Sequence, residues 1–375
     1  MNDRARLAAL GALLLLLLLI AGAGWLLWER APAEGSAAGG VSSFGPAAGA
    51  STSGAAQPRA ALSPGKPPVA KAAAAGTPAA AARAAAAGRV VTAGWGSGAD
   101  QLGHDLGEER NAEGPPALTP LPGGGFAVLD AVNGRLSRFD KDGKPAGTVS
   151  LTQQLPQDVL ALPDGSTLVL DRLADRSVAI LGPDGKPRGE LPLLGPGIAE
   201  GGGVTGLFVE GDAVFAEYEH GKLVELGDVS GTAAAERREL EGRPSPDGRS
   251  LLNAGLLDGP GGRLWVSAAD RETGAARFTR DVRIGEPIWA LLSLDGDAAG
   301  GIYVGLAAGE EGNERTRVLC LGPDGAVVGG AEVPASNGPE DLFRPVSVAA
   351  DGEILVLRTG EQGAEIHRLR CQPLR

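Results

Sequence analysis

Residues 116–130 of the chain are Pro-Ala-Leu-Thr-Pro-Leu-Pro-Gly-Gly-Gly-Phe-Ala-Val-Leu-Asp. An apolar segment, a turn rich in glycine and a second apolar segment follow one another here, and the pair Asp142-Gly143 comes soon after. Short apolar segments bounded by Gly and Pro are typical of β-strands, and Asp-Gly between such segments is a strong hairpin signal. The stretch therefore predicts antiparallel strands joined by tight turns.

Six segments between Arg89 and Arg375 share this rhythm of strand, turn and strand. Their second strands are predicted at Gly124–Asp130, Ser166–Asp171, Asp212–Tyr218, Gly262–Ala268, Gly300–Leu306 and Gly352–Arg358. The ends of successive second strands lie 38 to 52 residues apart, and a four-stranded propeller blade takes about 40–50 residues. The spacing therefore predicts an all-β fold, a six-bladed β-propeller over residues 89–375.

Asp-Gly pairs mark the turns of these units. Such pairs begin, among others, at Asp142, Asp164, Asp184, Asp247, Asp295, Asp324 and Asp351. Asp-Gly favours two-residue hairpin loops in which both turn residues take positive φ. We therefore expect a hairpin turn with both residues left-handed at each pair.

The first unit carries the most specific motif. Asp130 is followed by Asn133, Arg135, Phe139 and the turn at Asp142. This order resembles the NHL repeat of six-bladed propellers, in which an Asp ends the second strand and Asn, Arg, an aromatic residue and an Asp-Gly turn follow. Asn tolerates a left-handed turn, and we expect Arg135 to pair with Asp130.

The other units match the repeat less well. The second keeps Asp171 and Arg176 but has Ala174 where the repeat has Asn, and the remaining four keep only the strand rhythm. A short strand at Arg89–Trp95 precedes the first unit. We expect it to complete the last blade beside Glu365–Cys371 and so to close the ring, because closure removes exposed sheet edges.

The N-terminus has a different character. Leu7–Trp28 contains no charged residue, and about 20 apolar residues span a bilayer as a helix. Arg4 and Arg6 precede it, which favours a cytoplasmic N-terminus. The sequence predicts a short cytoplasmic tail at 1–6, a transmembrane signal-anchor helix at 7–28 in the inner (cytoplasmic) membrane of a bacterium, and a periplasmic or otherwise extracytoplasmic C-terminal domain. The alternative is a signal peptide cleaved near Ala21–Ala23, which would give a secreted protein.

Residues 29–88 consist mainly of Ala, Pro, Gly and Ser, and they are predicted to be a disordered linker because they offer little to bury. The chain has a formal net charge of −12. Residues 1–90 hold eight Lys and Arg against three Asp and Glu, so the acidic excess lies in the propeller. An acidic domain repels phosphate backbones, which argues against binding to nucleic acid.

The channel mouth is the candidate ligand-binding site. In the predicted register, the polar residues at or just before the innermost strands are Glu113, Gln157, Asp158, Asn253, Glu286 and Arg344. The two cysteines, Cys320 and Cys371, fall at corresponding places in the fifth and sixth units. They can form a disulfide if their Cα atoms lie within about 7 Å, and otherwise they are buried thiols.

No catalytic motif stands out. The three histidines, His104, His220 and His367, lack metal-ligand spacing, so we expect no catalytic residues, no metal and no cofactor. The first hypothesis is a membrane-tethered binding or scaffold module for a protein or an envelope polymer, as the NHL resemblance implies. The alternative is an exported metal-dependent hydrolase or lyase. It resembles the six-bladed lactonases if Glu113, Asn253 and Glu286 act as metal ligands.

Overall fold

The computed structural model describes residues 88–107 and 111–373. The predicted tail (1–6), the membrane helix (7–28) and all of the linker except Gly88 lie outside the described residues. The described residues contain no helix that could span a bilayer. Their one helical segment is the 3-10 turn Gly201–Gly203.

The described residues form 26 strands in six sheets. Two strands precede the first blade: β1 (Arg89–Trp95) and β2 (Gln101–Leu102). Blade 1 contains β3 (Leu118–Pro120), β4 (Phe126–Asp130), β5 (Arg135–Phe139) and β6 (Pro145–Ser150). Blade 2 contains β7 (Asp158–Ala161), β8 (Thr167–Asp171), β9 (Ser177–Leu181) and β10 (Pro187–Pro192). Blade 3 contains β11 (Val204–Glu210), β12 (Ala213–Tyr218), β13 (Lys222–Asp228) and β14 (Glu239–Leu240).

The second half of the ring has longer strands. Blade 4 contains β15 (Arg243–Pro244), β16 (Ser250–Asp258), β17 (Arg263–Asp270) and β18 (Ala276–Arg283). Blade 5 contains β19 (Ile288–Gly296), β20 (Ile302–Ala308), β21 (Arg315–Leu321) and β22 (Val327–Pro334). Blade 6 contains β23 (Val346–Val348), β24 (Ile354–Gly360) and β25 (Gly363–Leu369), and β26 (Gln372–Pro373) follows it.

Each sheet is an antiparallel meander whose first strand lies innermost. The inner strand β3 contacts both β7 and β23, β7 contacts β11, and β19 contacts β23 and the second strand of blade 4. Six sheets, four of them with four strands and two with five, therefore surround one axis. The prediction of an all-β, six-bladed propeller is confirmed.

The N-terminal strand closes the ring. β1 pairs antiparallel with β25 from Arg89 opposite Arg368 to Gly94 opposite Gly363, and thus becomes the fourth strand of blade 6. β2 then adds to β1 in parallel. The predicted closure is confirmed, and the first strand of the propeller lies in the last blade.

The motif of the first unit holds this closing segment. Arg135 Nε donates to Asp130 Oδ2 at 2.7 Å, as predicted, and Asn133 Nδ2 donates to the same oxygen at 2.9 Å. The other Asp130 oxygen accepts a bond from Gly103 N at 2.8 Å, and Arg135 Nη1 donates to Ser97 O at 2.9 Å. The buried Asp130 carboxylate thus fixes the chain that follows β1.

The second unit uses its aspartate differently. Asp171 is buried and accepts bonds from the backbone N–H groups of Leu155 (2.7 Å) and Ala174 (2.8 Å). Arg176 takes a left-handed conformation with φ 54° and donates to Leu173 O at 3.4 Å instead. With Ala174 in place of Asn, the carboxylate caps backbone groups and does not pair with the arginine.

Six of the seven Asp-Gly pairs named above form hairpin turns, but not of the expected kind. Their glycines have positive φ, whereas the aspartates do not. At Asp164, Leu162 N donates to Ser166 O (2.8 Å) and Gly165 N donates to Leu162 O (2.9 Å). This is a three-residue loop in which only the last residue is left-handed. The seventh pair, Asp295-Gly296, lies inside β19 and the turn follows it, so the prediction is wrong there.

Five buried hydrophobic clusters join neighbouring blades around the ring. They connect blades 1 and 2, 2 and 3, 4 and 5, 5 and 6, and 6 and 1. Among the described residues, no such cluster joins blades 3 and 4. We call this boundary the polar seam, because ion pairs span it: Arg271 Nη2 lies 2.8 Å from Glu210 Oε2, and Arg243 Nη2 lies 3.6 Å from Glu217 Oε1.

Blade 4 also departs from the predicted register. The segment Gly262–Ala268, predicted as a second strand, belongs to the third strand β17. The inner strand β15 has only two residues, Arg243 and Pro244, and leaves no apolar segment to detect in the sequence. The apolar strand Ser250–Asp258 was therefore predicted as the inner strand of blade 4, although it is the second strand. Asn253, predicted just before an inner strand, consequently lies on the second strand β16.

The C-terminal tail ties blade 6 to blade 5. Cys320 in β21 and Cys371 beyond β25 form a disulfide, with their Cα atoms 6.3 Å apart. The next two residues form β26, which pairs with Gly329 and Gly330 of β22 as a fifth strand of blade 5. A Cβ atom at Gly329 would lie 2.3 Å from Gln372 O, so this position requires glycine.

Candidate functional site

A small cavity lies in the channel beside the polar seam. Its enclosed volume is about 30 Å³, which is enough for a water-sized group. Blades 3, 4 and 5 and the segment entering blade 6 form its walls. The polar side chains among them are Thr205, Glu217, His220, Arg243, Asn253, Ser293, Asp295 and Arg344. We call it the axial cavity.

Blade 3 presents a histidine to this cavity on a strained turn. Glu219 and His220, between β12 and β13, have φ values of 52° and 55°, which cost about 1 kcal/mol or more for each non-glycine residue. The turn is held because His220 N donates to Thr205 Oγ1 at 3.3 Å. The side chain of His220 is about half exposed, and its Nδ1 atom lies 3.9 Å from Glu217 Oε2.

Arg243 links three blades across the cavity. Its side chain starts on β15 of blade 4 and donates to Asp295 Oδ1 of blade 5 at 2.7 Å. The guanidinium also lies 5.4 Å from the centre of the Phe208 ring of blade 3. Arg243 is 9% exposed, and its Nε has no hydrogen-bond partner among the described residues. A buried donor of this kind carries a desolvation cost of about 1–3 kcal/mol.

A second buried ion pair lies deeper, between blades 2, 3 and 6. Arg344 Nη2 lies 3.0 Å from Asp158 Oδ2 and donates to Leu207 O at 2.8 Å. Asp158 also accepts from Leu207 N (2.9 Å) and Val159 N (2.8 Å). Burial raises the pKa of the Asp158 carboxyl above its ordinary value, and Arg344 and the two N–H donors offset only part of that rise. The pair therefore joins inner strands, with the Asp158 carboxylate fully buried and Arg344 at the wall of the axial cavity.

The sequence-predicted residues divide into two groups. Asn253 and Arg344 line the axial cavity, and Asp158 pairs with Arg344. Gln157 instead accepts the backbone N–H of Arg172 at 2.9 Å, and Glu286 lies 2.6 Å from Arg317 Nη1 in a separate surface depression.

Glu113 is exposed and forms an isolated backbone bridge with Asp105. The cavity does not gather Glu113, Asn253 and Glu286, the metal ligands of the alternative hypothesis. Among residues 88–107 and 111–373, no group of three or more His, Cys, Asp and Glu side chains is placed to hold a metal ion.

Arg243, Glu217 and Thr205 line the axial cavity but were not predicted from the sequence, and His220 was not predicted to be part of a site. Arg243 lies on the two-residue inner strand of blade 4, which the sequence pattern did not reveal. The turn Tyr218-Glu219-His220-Gly221 contains neither Asn-Gly nor Asp-Gly, so no familiar turn signal singled out its position beside the channel.

An exposed apolar ridge lies at the ends of β16 and β19, two strands that also line the axial cavity. Leu256 and Leu257, near the end of β16, are 39% and 50% exposed, and Trp289, at the start of β19, is 58% exposed. Ile288 N donates to Gly259 O at 2.8 Å, which brings the ends of these two strands together. Large apolar side chains grouped at a surface often mark an interaction site.

Similarity to known proteins was found among solved structures alone. No protein-family model matches the chain, and no curated protein matches it. Among solved structures, hydrazine synthase from Kuenenia stuttgartiensis is similar at 14% identity, over 68% of this chain and 80% of that one, with a TM-score of 0.42. BamB from Moraxella catarrhalis is similar at 15% identity over 68% and 84%, with a TM-score of 0.39. A streptogramin B lyase is similar at 12% identity over 69% and 93%, with a TM-score of 0.38. Similarities at this level say nothing about the ligand of this chain.

Proposed function

We propose that the chain is a membrane-tethered, extracytoplasmic binding module. Leu7–Trp28 anchors it in the cytoplasmic membrane, residues 29–88 act as a flexible tether, and the propeller binds a protein or envelope polymer. The observation that carries the proposal is the apolar ridge of Leu256, Leu257 and Trp289 at the channel mouth. Exposing these side chains to water is unfavourable, and a bound partner would remove that cost.

Two further features support this role. The axial cavity beside the ridge is water-sized, so the mouth suits recognition of a group that projects from a larger partner. The disulfide between Cys320 and Cys371 is typical of oxidising compartments outside the cytoplasm, which supports an exported domain.

Site-specific photo-crosslinking in cells tests the proposal. A photoreactive residue replaces Leu257 on the ridge or, as the control, Asp184, an exposed turn residue at the opposite end of a blade. We expect a discrete crosslinked adduct from position 257 alone, in the membrane fraction and accessible to protease added outside the cytoplasmic membrane. Deleting residues 7–28 should move the chain out of that fraction.

Equal adducts at both positions, or none at position 257, would contradict a binding mouth. A chain that stays in the membrane fraction without residues 7–28 would contradict the anchor.

A further inference from the structure

The second strand of blade 4 has an open edge towards the channel. β15 pairs with β16 only through Arg243 opposite Leu252 and Pro244 opposite Leu251. Ser250 O accepts a bond from Ser245 N on this same side, and backbone groups alternate in direction along an antiparallel strand. Ala254 and Leu256 therefore point their N–H and C=O groups to the side on which β15 has ended. Beyond Leu252, no strand in the described part of the chain pairs with that edge.

Other blades fill the corresponding position. In blade 1, Leu129 of β4 donates its N–H to Ala117 O at 2.9 Å, beyond the end of the inner strand β3. In blade 6, Leu357 of β24 donates to Pro345 O at 2.8 Å, and Thr359 O accepts from Asn337 N at 3.0 Å. The open edge of β16 thus lies at the polar seam, where the described residues also form no hydrophobic cluster between blades 3 and 4.

The open edge of β16 has neither the arginines nor the covering strand that protect other edges of the propeller. The outer strand β18 carries three exposed arginines, Arg277, Arg280 and Arg283, and charges on an edge discourage added strands. The outer strands β22 and β1 are covered by β26 and β2. The open edge of β16 instead carries the uncharged side chains of Ala254, Leu256 and Leu257. An uncharged, unpaired edge is a template for another strand.

The surroundings indicate the charge of the partner. Glu241 and Asp258, both exposed, lie at the two ends of this edge, and exposed Glu219 adjoins His220 at the cavity. Glu241 O accepts a bond from Asn253 Nδ2 at 3.0 Å, which fixes the first of these acids beside the strand. Lysine side chains on an incoming segment would complement these carboxylates.

We infer that the partner segment is an extended, lysine-bearing polypeptide that adds as a strand to the open edge of β16. This inference rests on the binding role proposed above and names the partner of that same mouth. Main-chain hydrogen bonds to Ala254 and Leu256 supply affinity, as in other cases of strand addition. Apolar side chains of the segment cover Leu256, Leu257 and Trp289.

A synthetic peptide tests this directly. The probe is a capped, fluorescent peptide of about eight alternating lysine and valine residues, long enough to cover the edge. It is added to the full chain purified in a non-ionic detergent. We expect binding by fluorescence anisotropy and slower deuterium exchange of the amides in residues 253–258. A peptide with the same sequence but N-methylated at alternate residues should bind about tenfold more weakly or worse, because it cannot pair along the edge.

A protein variant supplies the matched control. Leu256→Lys puts a charge on the open edge, and Leu173→Lys puts one on a leucine of blade 2 that is 48% exposed. We expect the first to weaken peptide binding about tenfold and the second to leave it unchanged. Equal affinity of the N-methylated peptide, an unaffected Leu256→Lys variant, or protection elsewhere than β16 would overturn the inference. So would protection of β16 that rises with protein concentration alone, since the occupant would then be a second copy.

The two proposals can fail separately. A crosslinked partner at position 257 with no peptide protection of β16 would leave the binding role standing and overturn strand addition. The absence of both would remove both.

Discussion

Two neighbouring boundaries of the same ring are held by different forces. Blades 2 and 3 share a buried cluster that includes Leu170, Ile180 and Val224, each inaccessible to solvent. Blades 3 and 4 share the polar seam, where Glu210 pairs with Arg271 and Glu217 with Arg243. The polar seam lies beside the shortest of the six inner strands, since β15 has only two residues, Arg243 and Pro244. One ring is thus held by apolar burial at one boundary and by ion pairs at the next.

The comparison matters because the two kinds of contact respond to different conditions. Apolar burial contributes about 25 cal/mol for each Å² and is insensitive to moderate salt. Ion pairs that are partly exposed contribute about 0–1 kcal/mol and are screened by salt. The polar seam is therefore the place where the ring should open first, and it is also where the candidate site lies.

The largest effect is expected from the hydrophobic boundary. Leu170→Ala removes a fully buried side chain from the cluster between blades 2 and 3, and it should lower the free energy of unfolding by about 2–5 kcal/mol. Urea denaturation of the full chain measures it. Leu173→Ala, at a position 48% exposed, should change stability by less than about 0.5 kcal/mol. Equal losses in the two variants would mean that this cluster does not hold the blades.

The covalent tie between blades 5 and 6 comes second. Replacing Cys320→Ser and Cys371→Ser together opens a loop of 51 residues and should cost about 2–4 kcal/mol, chiefly by freeing the unfolded chain. Reducing the disulfide in the wild-type chain should cost the same, as measured by the urea midpoint with and without reductant. An unchanged midpoint would show that the hydrophobic cluster at this boundary suffices without the disulfide.

The smallest effect should come from the polar seam itself. Glu210→Gln removes the carboxylate from Arg271 and should cost about 0.5–1 kcal/mol at low salt. The loss should vanish at 1 M salt, where the Debye length is about 3 Å. Hydrogen exchange should quicken in the strands that flank the polar seam.

The matched control is Asp281→Asn, which breaks the Arg263–Asp281 pair inside blade 4 and should leave exchange at the polar seam unchanged. A salt-independent effect of Glu210→Gln would contradict an ionic boundary.

Much of the fold was predictable because the signals that specify it are local. The strand rhythm and the Asp-Gly pairs placed five of the six second strands, and the order of Asp130, Asn133 and Arg135 predicted a pairing that the structure contains. The second strand of blade 4 was predicted wrongly because the inner strand before it has only two residues, too few to show an alternation of apolar and polar residues. The turn type was wrong because Asp-Gly occurs both in two-residue loops and in three-residue loops that end in glycine.

The site was harder to predict, since it is assembled from distant segments. Asn253 and Arg344 were singled out for the mouth and do line the axial cavity. Arg243 and Glu217 meet only because blades 3 and 4 fold side by side, and a sequence of this kind contains no local sign of such a contact. Gln157 was placed correctly along the chain, but its side chain caps a backbone N–H, and a strand register does not show which way a side chain turns.

The pairing of β1 with β25 has a consequence for biosynthesis. Arg89 leaves the ribosome long before Arg368, the residue opposite it in the finished sheet. Through most of translation, β1 lacks its antiparallel partner β25, and contacts so distant in sequence form slowly. A chain that crosses a membrane while unfolded would thus complete its ring only on the far side, after nearly the whole polypeptide had passed.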